Sequence, residues 1–315
     1  MNTPLSPELV SLVSQPLGET QAPAVDALIQ ALLARYGESV QAIVLYGSCL
    51  RHGDVHNGLV DFYVLVDTYG RAYHQVWHRV FNTLLPPNVF YLALPEKEGG
   101  LRAKYAILSL TDFQKSTSMR WFHSYFWGRF CQPTHVAFAK NREIACQVWE
   151  GLAQAAVTFC TRVLPLLPPA CDAKMLWQTG LARSYRAELR AERPETIARL
   201  YEGGSHYFES VARIAMTLVP FSIEIQSETF HAMIPSRVRF FCRVGWVVRT
   251  IQGKLLSLLR LIKGLMTFRG GVDYIVWKIQ RHSGITIEVT PRLRQYPLLA
   301  GWVVMWRLYR KGAFR

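Results

Sequence analysis

Apolar residues first recur at helical spacing in "PAVDALIQALLARYG" (Pro23 to Gly37), which has a proline at its start and a glycine at its end. That pattern predicts a helix with its own start and stop signals. "VQAIVLYGS" then reads as a buried strand entering a turn, and "LVDFYVLVD" as a second strand. "RAYHQVWHRVFNTLL" (Arg71 to Leu85) predicts the helix that follows. "NVFYLALP" and "AKYAILSL" read as two more strands around "EKEGG", a hairpin-like turn. Together these elements predict an α/β domain over residues 1–140, one mixed sheet with helices. Spacing from Asn141 to about Met233 is mostly helical, broken at "PLLPPACD". It predicts a mainly helical domain over 141–233, with a winged-helix-like arrangement as one form of it. Residues 234–315 make a basic, amphipathic region.

The basic region carries the charge asymmetry of the chain. From Met233 to Arg315 there are sixteen Lys and Arg against two acids, Asp273 and Glu288, a net of +14. Residues 1–232 balance at zero, so the whole formal excess lies in the last quarter. Such a field points to a polyanionic partner, a nucleic acid or an acidic membrane surface. In "KLLSLLRLIKGLM", 100° steps put Leu255, Leu258, Leu259, Ile262, Leu265 and Met266 on one side. Lys254, Ser257, Arg260 and Lys263 fall on the other. Basic residues flanking an apolar face are the mark of a helix in a lipid interface. "YPLLAGWVVMWRLYRKGAFR" repeats the theme with two tryptophans. A spanning helix needs about 20 mostly apolar residues. Ile214 to Ile223, with Pro220, and Tyr296 to Trp306, ending at Arg307, both fall short.

Half of the 315 residues are hydrophobic, which argues against disorder. The six cysteines include no CxxC pair, against a zinc site or disulfide scaffold and in keeping with a reducing compartment. The first residues show neither a secretory signal nor a mitochondrial presequence, so a cytoplasmic place, peripheral on the inner face of the cell membrane, is expected.

Chemistry concentrates between Val44 and Asp67. Gly47-Ser48 ends a strand-like run, and Asp61 opens the next. A glycine lets backbone N–H groups approach a triphosphate, a serine adds a hydroxyl, and an aspartate on the neighbouring strand offers hard oxygens to Mg²⁺. This is how a nucleotidyltransferase holds its nucleotide, and such enzymes ordinarily carry a second carboxylate two residues after the first. Tyr63 stands there. Asp61, Tyr63 and Asp67 share one strand face, but at about 3.3 Å per residue Asp67 lies roughly 20 Å from Asp61 on a straight strand. One ion would bridge them only if the chain curled after Val66.

"YGS", "VDFYVLVD" and Trp77-His78, followed in order by "NVFYL", "AKYAILS", "SYFWGRFCQPTHV" and "GLARSYRAELRAE", resemble the motif series of the Tam41/Mmp37 family, the mitochondrial-type phosphatidate cytidylyltransferases. "IKGLMTFRGGVDYIVWKI" is similar to a further block, so the likeness runs from Val44 to Ile279. The resemblance implies a nucleotidyltransferase-like α/β fold. It also implies that CTP and phosphatidic acid, or a related lipid phosphate, give CDP-diacylglycerol and pyrophosphate with Mg²⁺ at an anionic membrane surface. Carried over by position, Tyr46, Gly47 and Ser48 would cradle the nucleotide, with Arg129, Tyr185, Glu188 and Arg190. Asp61 and Asp67 would hold the metal, and Lys104 would join them in catalysis. The family's apolar residue at the place of Tyr63 implies that a missing second acid is ordinary there. Departures are Cys49 for a glycine, Gln132 for a lysine and an insertion in "LARSY".

Three functions stay open at this point. The first is a cytidylyltransferase acting on a lipid phosphate. The second has the same core acting on another acceptor, RNA included, although no RNA-binding signature accompanies the basic tail and no nucleic acid is expected. The third is a membrane-associated relic, with Cys49, Tyr63 and Gln132 as marks of loss. The aromatic run "MRWFHSYFWGRF" is expected to be core, and His78, His123 and His135 to be structural.

Overall fold

Val40–Tyr46 (β1) and Val60–Val66 (β2) pair antiparallel, Tyr46 opposite Asp61, at the centre of a five-stranded mixed sheet. Its order is β3-β4-β2-β1-β5, with β3 at Asn88–Ala93, β4 at Arg102–Ser109 and β5 at Thr134–Ala139. Only β2 and β4 run parallel. This computed structural model describes residues 5–15, 23–47, 49–50, 59–94, 100–188 and 192–267. "EKEGG" lies almost wholly outside them, although Leu94 N–H donates to Leu101 O at 2.9 Å across that turn.

The strands are mostly apolar because both sheet faces are covered along most of their length. Ile43, Leu45, Phe62, Val64, Tyr105 and Ile107 pack under Leu28, Ile29 and Leu32 of α2 (Pro23–Tyr36). Ala42, Val44, Tyr63, Leu65, Ala106 and Leu108 face the other way. They meet α1 (Pro7–Ser14), α5 (Leu110–Thr117), α6 (Trp127–Phe130) and the long α7 (Arg142–Val163). The aromatic run supplies Phe126, Trp127 and Phe130 to this core.

The helix expected over Arg71 to Leu85 is two pieces, α3 (Tyr69–Ala72) and α4 (Val76–Leu84). Thr68 caps the first by accepting from Arg71 N–H, and extended Tyr73 ends it. Beyond α7 come α8 (Ala173–Arg186), α9 (Pro194–Glu202) and α10 (Ser205–Met216). A small antiparallel sheet of β6 (Ala170–Asp172), β7 (Ser222–Gln226) and β8 (Thr229–Met233), in the order β6-β8-β7, accompanies them. Ile223 and Ile225 alternate with polar residues, as do Phe230 and Ala232, but over runs too short to predict strands.

The last described element is α11 (Ser236–Thr267), and its basic and apolar sides do not share one environment. Arg249 and Lys263 are buried and Arg260 is half-buried, facing the protein and not a surface. They donate to main-chain carbonyls: Arg249 to Phe122 O, Arg260 to Pro86 O, and Lys263 to Leu85 O and Pro87 O. Trp246 Nε1–H donates to Arg162 O at 2.8 Å. The outward face is an apolar stripe: Phe240, Phe241, Val244, Val247, Val248, Ile251, Leu255, Leu258, Leu259 and Ile262 are all exposed, Phe241 at 69% and Ile251 at 66%. Among the described residues no helix is long and apolar enough to cross a membrane.

Candidate functional site

Strand pairing sets a row of side chains across the sheet. Thr134 on β5 opposes Tyr46 on β1, which opposes Asp61 on β2, then Lys104 on β4 and Tyr91 on β3. One step deeper the row is Val136, Val44, Tyr63, Ala106 and Val89. Period-two alternation puts both rows on the same sheet face. Tyr46, Asp61 and Lys104 of the outer row, with Val89 and Ala106 of the inner one, floor a cavity of about 600 Å³. Tyr125, Arg129 and Gln132 form one wall, Tyr185, Glu188 and Glu192 another, and Thr196, Ile197 and Leu200 of α9 close it.

Gly47 turns the chain at the end of β1 with φ +90°. A Cβ there would lie 2.9 Å from Asp61 Oδ2, so backbone and carboxylate meet at a distance that only glycine allows. Gly128 does the same for two helices: a Cβ on it would stand 2.2 Å from Ser184 Oγ. That close approach of α6 to α8 brings Arg129 to Glu188.

Arg129 is held on every side. Its Nη1 donates to Tyr63 Oη at 3.1 Å and its Nη2 to Glu188 Oε2 at 3.4 Å. The guanidinium lies 4.4 Å from the Tyr125 ring centroid and 5.9 Å from that of Tyr46. Burial opposes its charge, but Tyr63, Tyr125 and Glu188 around it keep its pKa well above the ordinary value. Burial pushes the Tyr46 and Tyr63 hydroxyls up; Asp61 adds to the effect at Tyr46, and Tyr125 at Tyr63. Burial would raise Tyr125 as well. There Arg129 and Arg260, with Lys104 behind them, outweigh it and lower the pKa. Arg260 lies 4.1 Å from the same ring, so α11 reaches the wall of the cavity.

Of the residues expected from sequence, Tyr46, Gly47, Asp61, Lys104, Arg129, Tyr185 and Glu188 line this one cavity. Ser48 and Arg190 lie outside the described residues. Asp67 is elsewhere. It follows the far end of β2, accepts from Arg71 Nη1 at 2.6 Å and from Thr68 N–H, and donates its own N–H to Ser39 O. β2 stays regular to Val66, so the curl that would bring Asp67 to Asp61 is absent. Gln132 accepts from Tyr185 Oη at 3.0 Å and donates to Gly128 O, a structural use of the position where the resembled family has lysine. Tyr125 and Arg260 were missed by sequence reading: Tyr125 stands four residues before Arg129 inside an aromatic run that reads as core, and Arg260 meets Tyr125 from a distant helix.

Among the described residues no group of three His, Cys, Asp or Glu gathers that would cage a metal. Mg²⁺ in phosphate chemistry needs less: one or two carboxylates, the substrate phosphates and water. Asp61 on the cavity floor fits that demand, while Glu188 is engaged by Arg129.

No protein-family model matches the chain, and no curated protein matches it. Among solved structures it is similar to a nucleotidyltransferase-like protein from Exiguobacterium sibiricum 255-15. Identity is 10%, over 92% of this chain and 91% of that one, with a TM-score of 0.28. So loose a likeness bears on neither fold nor activity, and the Tam41/Mmp37 resemblance rests on its motifs.

Proposed function

We propose that the chain is a nucleotidyltransferase that passes a cytidylyl group from CTP to a lipid phosphate at an anionic membrane surface, phosphatidic acid being the acceptor and CDP-diacylglycerol the product. The observation that carries this reading is the convergence of Gly47, Asp61, Lys104 and Arg129 on one cavity. A glycine turn that lets backbone come close, a carboxylate and two cations suit a bound triphosphate. Asp61 would hold Mg²⁺, which neutralises phosphate charge when bound. An anionic oxygen of the lipid phosphate forms the new bond to the α-phosphorus. The bond from that phosphorus to its bridging oxygen breaks, and pyrophosphate leaves with the electron pair. The acceptor is already ionised, so no strong general base is needed, and Lys104 and Arg129 serve by position and charge.

The choice of CTP and of phosphatidic acid draws on the motif resemblance. The surface draws on α11, whose exposed apolar stripe is bordered by exposed Arg243 and Lys254. The test is pyrophosphate release from CTP and Mg²⁺ with phosphatidic acid in mixed micelles, wild type beside Asp61→Ala. Release should require the lipid and fall at least a hundredfold in the variant. Equal turnover by Asp61→Ala overturns the reading.

A further inference from the structure

Tyr63 occupies the place, two residues after Asp61 on the same face, where a second metal-binding carboxylate ordinarily stands. The structure shows what fills the space in front of it. Arg129 Nη1 donates to the Tyr63 hydroxyl at 3.1 Å, its Nη2 to Glu188 at 3.4 Å, and Tyr63 is hydrogen-bonded to Tyr125. Tyr63 is fully buried, its ring 4.7 Å from that of Phe130 and 5.1 Å from that of Tyr46, beside Ala106 on the next strand. A ring so packed has one orientation, and its hydroxyl is a fixed acceptor. The guanidinium it fixes faces the same cavity as Asp61 and Lys104.

We propose that Tyr63 is a positioning residue that replaces the second metal ligand by a fixed cation: it holds Arg129 where a second metal would otherwise meet the triphosphate. The inference rests on the nucleotidyltransferase reading and deepens it. An aspartate at 63 would need a metal to face a polyphosphate; a phenol carries no charge and instead orients a permanent one. Arginine suits the task because its planar fork spans two acceptors, Tyr63 and Glu188, and still presents donor edge and charge to phosphate oxygens. Polyphosphate binding should therefore be divided. One part depends on Arg129 and Tyr63 and persists without divalent metal, and another depends on Asp61 and needs metal.

The experiment is calorimetric titration of the full chain with CTP, with inorganic tripolyphosphate and with cytidine, in EDTA and in Mg²⁺. Wild type, Tyr63→Phe, Arg129→Lys and Asp61→Asn are compared, each first checked for a native melting transition. Wild type should bind CTP and tripolyphosphate in EDTA. Tyr63→Phe and Arg129→Lys should lose roughly ten- to a hundredfold of that affinity, as expected for a lost charged hydrogen bond. Cytidine binding should be unmoved by Tyr63→Phe, which a general packing defect would not spare. Asp61→Asn removes a negative charge from beside the polyphosphate, so it should bind at least as tightly as wild type in EDTA and lose the gain on adding Mg²⁺. Tight CTP binding in EDTA that neither Tyr63→Phe nor Arg129→Lys weakens overturns the proposal and leaves the enzyme reading standing. Failure of wild type to bind CTP under any condition overturns both.

Discussion

Gly47 and Asp61 are a pair set by exclusion of a single carbon atom. A Cβ at 47 would press on Asp61 Oδ2, and φ +90° is disfavoured for any L side chain. Gly47→Ala is therefore expected to cost about 1–3 kcal/mol of stability and to lower turnover well beyond what that loss explains. Urea unfolding read beside pyrophosphate release checks it; an active, equally stable alanine variant would show that the turn is slack. Much of this floor was legible in the sequence, because a glycine after one strand and an aspartate opening the next are local signals. The walls were less so. Arg129 meets Tyr63 across 66 residues and Glu188 across 59, and no periodicity reports such pairs. Arg129 and Glu188 came from the motif resemblance alone, and Tyr63 looked like an absence until its partner was seen. Asp67 misled for the same reason in reverse. It shares the face of Asp61 by alternation, yet a straight strand keeps it at the opposite end, against Arg71.

At the scale of elements, the strands of the central sheet were readable because burial on both faces makes them mostly apolar. The small sheet was not, since β7 and β8 have five residues each. A wheel over Lys254 to Met266 gave two faces but not which one the protein covers, and the answer is the side of Arg260 and Lys263. The ring of His123 shows how closely that face fits: Arg260 Nη2 lies 3.3 Å from its Nε2. Burial, with Arg260 and Arg249 nearby, depresses His123 to about 3. The folded state thus refuses a proton that the unfolded chain accepts near 6.5. The stability from neutral His123 is fully present above pH 6.5 and is lost as pH falls from there towards about 3. His123→Gln should lose less stability than wild type between pH 7.5 and 4.5 in urea unfolding. Parallel losses would remove His123 as the cause.

Taken whole, the molecule turns Arg249, Arg260 and Lys263 of α11 inward and leaves leucines, valines and phenylalanines on the outside, bordered by exposed Arg237, Arg243 and Lys254. Solvent alone is a poor neighbour for ten such side chains in one stripe. Replacing Phe240, Ile251 and Leu258 together by serine should leave the melting temperature within a few degrees, since all three are exposed. The same variant should lose most of its co-flotation with vesicles containing phosphatidic acid. Retained flotation would move the lipid contact elsewhere. The inward side of the helix has another consequence, for the order in which the protein is completed. α11 is tied to Pro86, Phe122 and Arg162, at sequence separations of 174, 127 and 84 residues, and Gly253 packs on Ala187, next to Glu188. During synthesis the upstream elements emerge first and fold as units. The wall at Tyr125 has only one of its two guanidinium neighbours until residue 260 leaves the ribosome. The site is thus finished by the same stretch of chain that presents the apolar stripe, so its completion and the first chance of meeting a lipid surface arrive together.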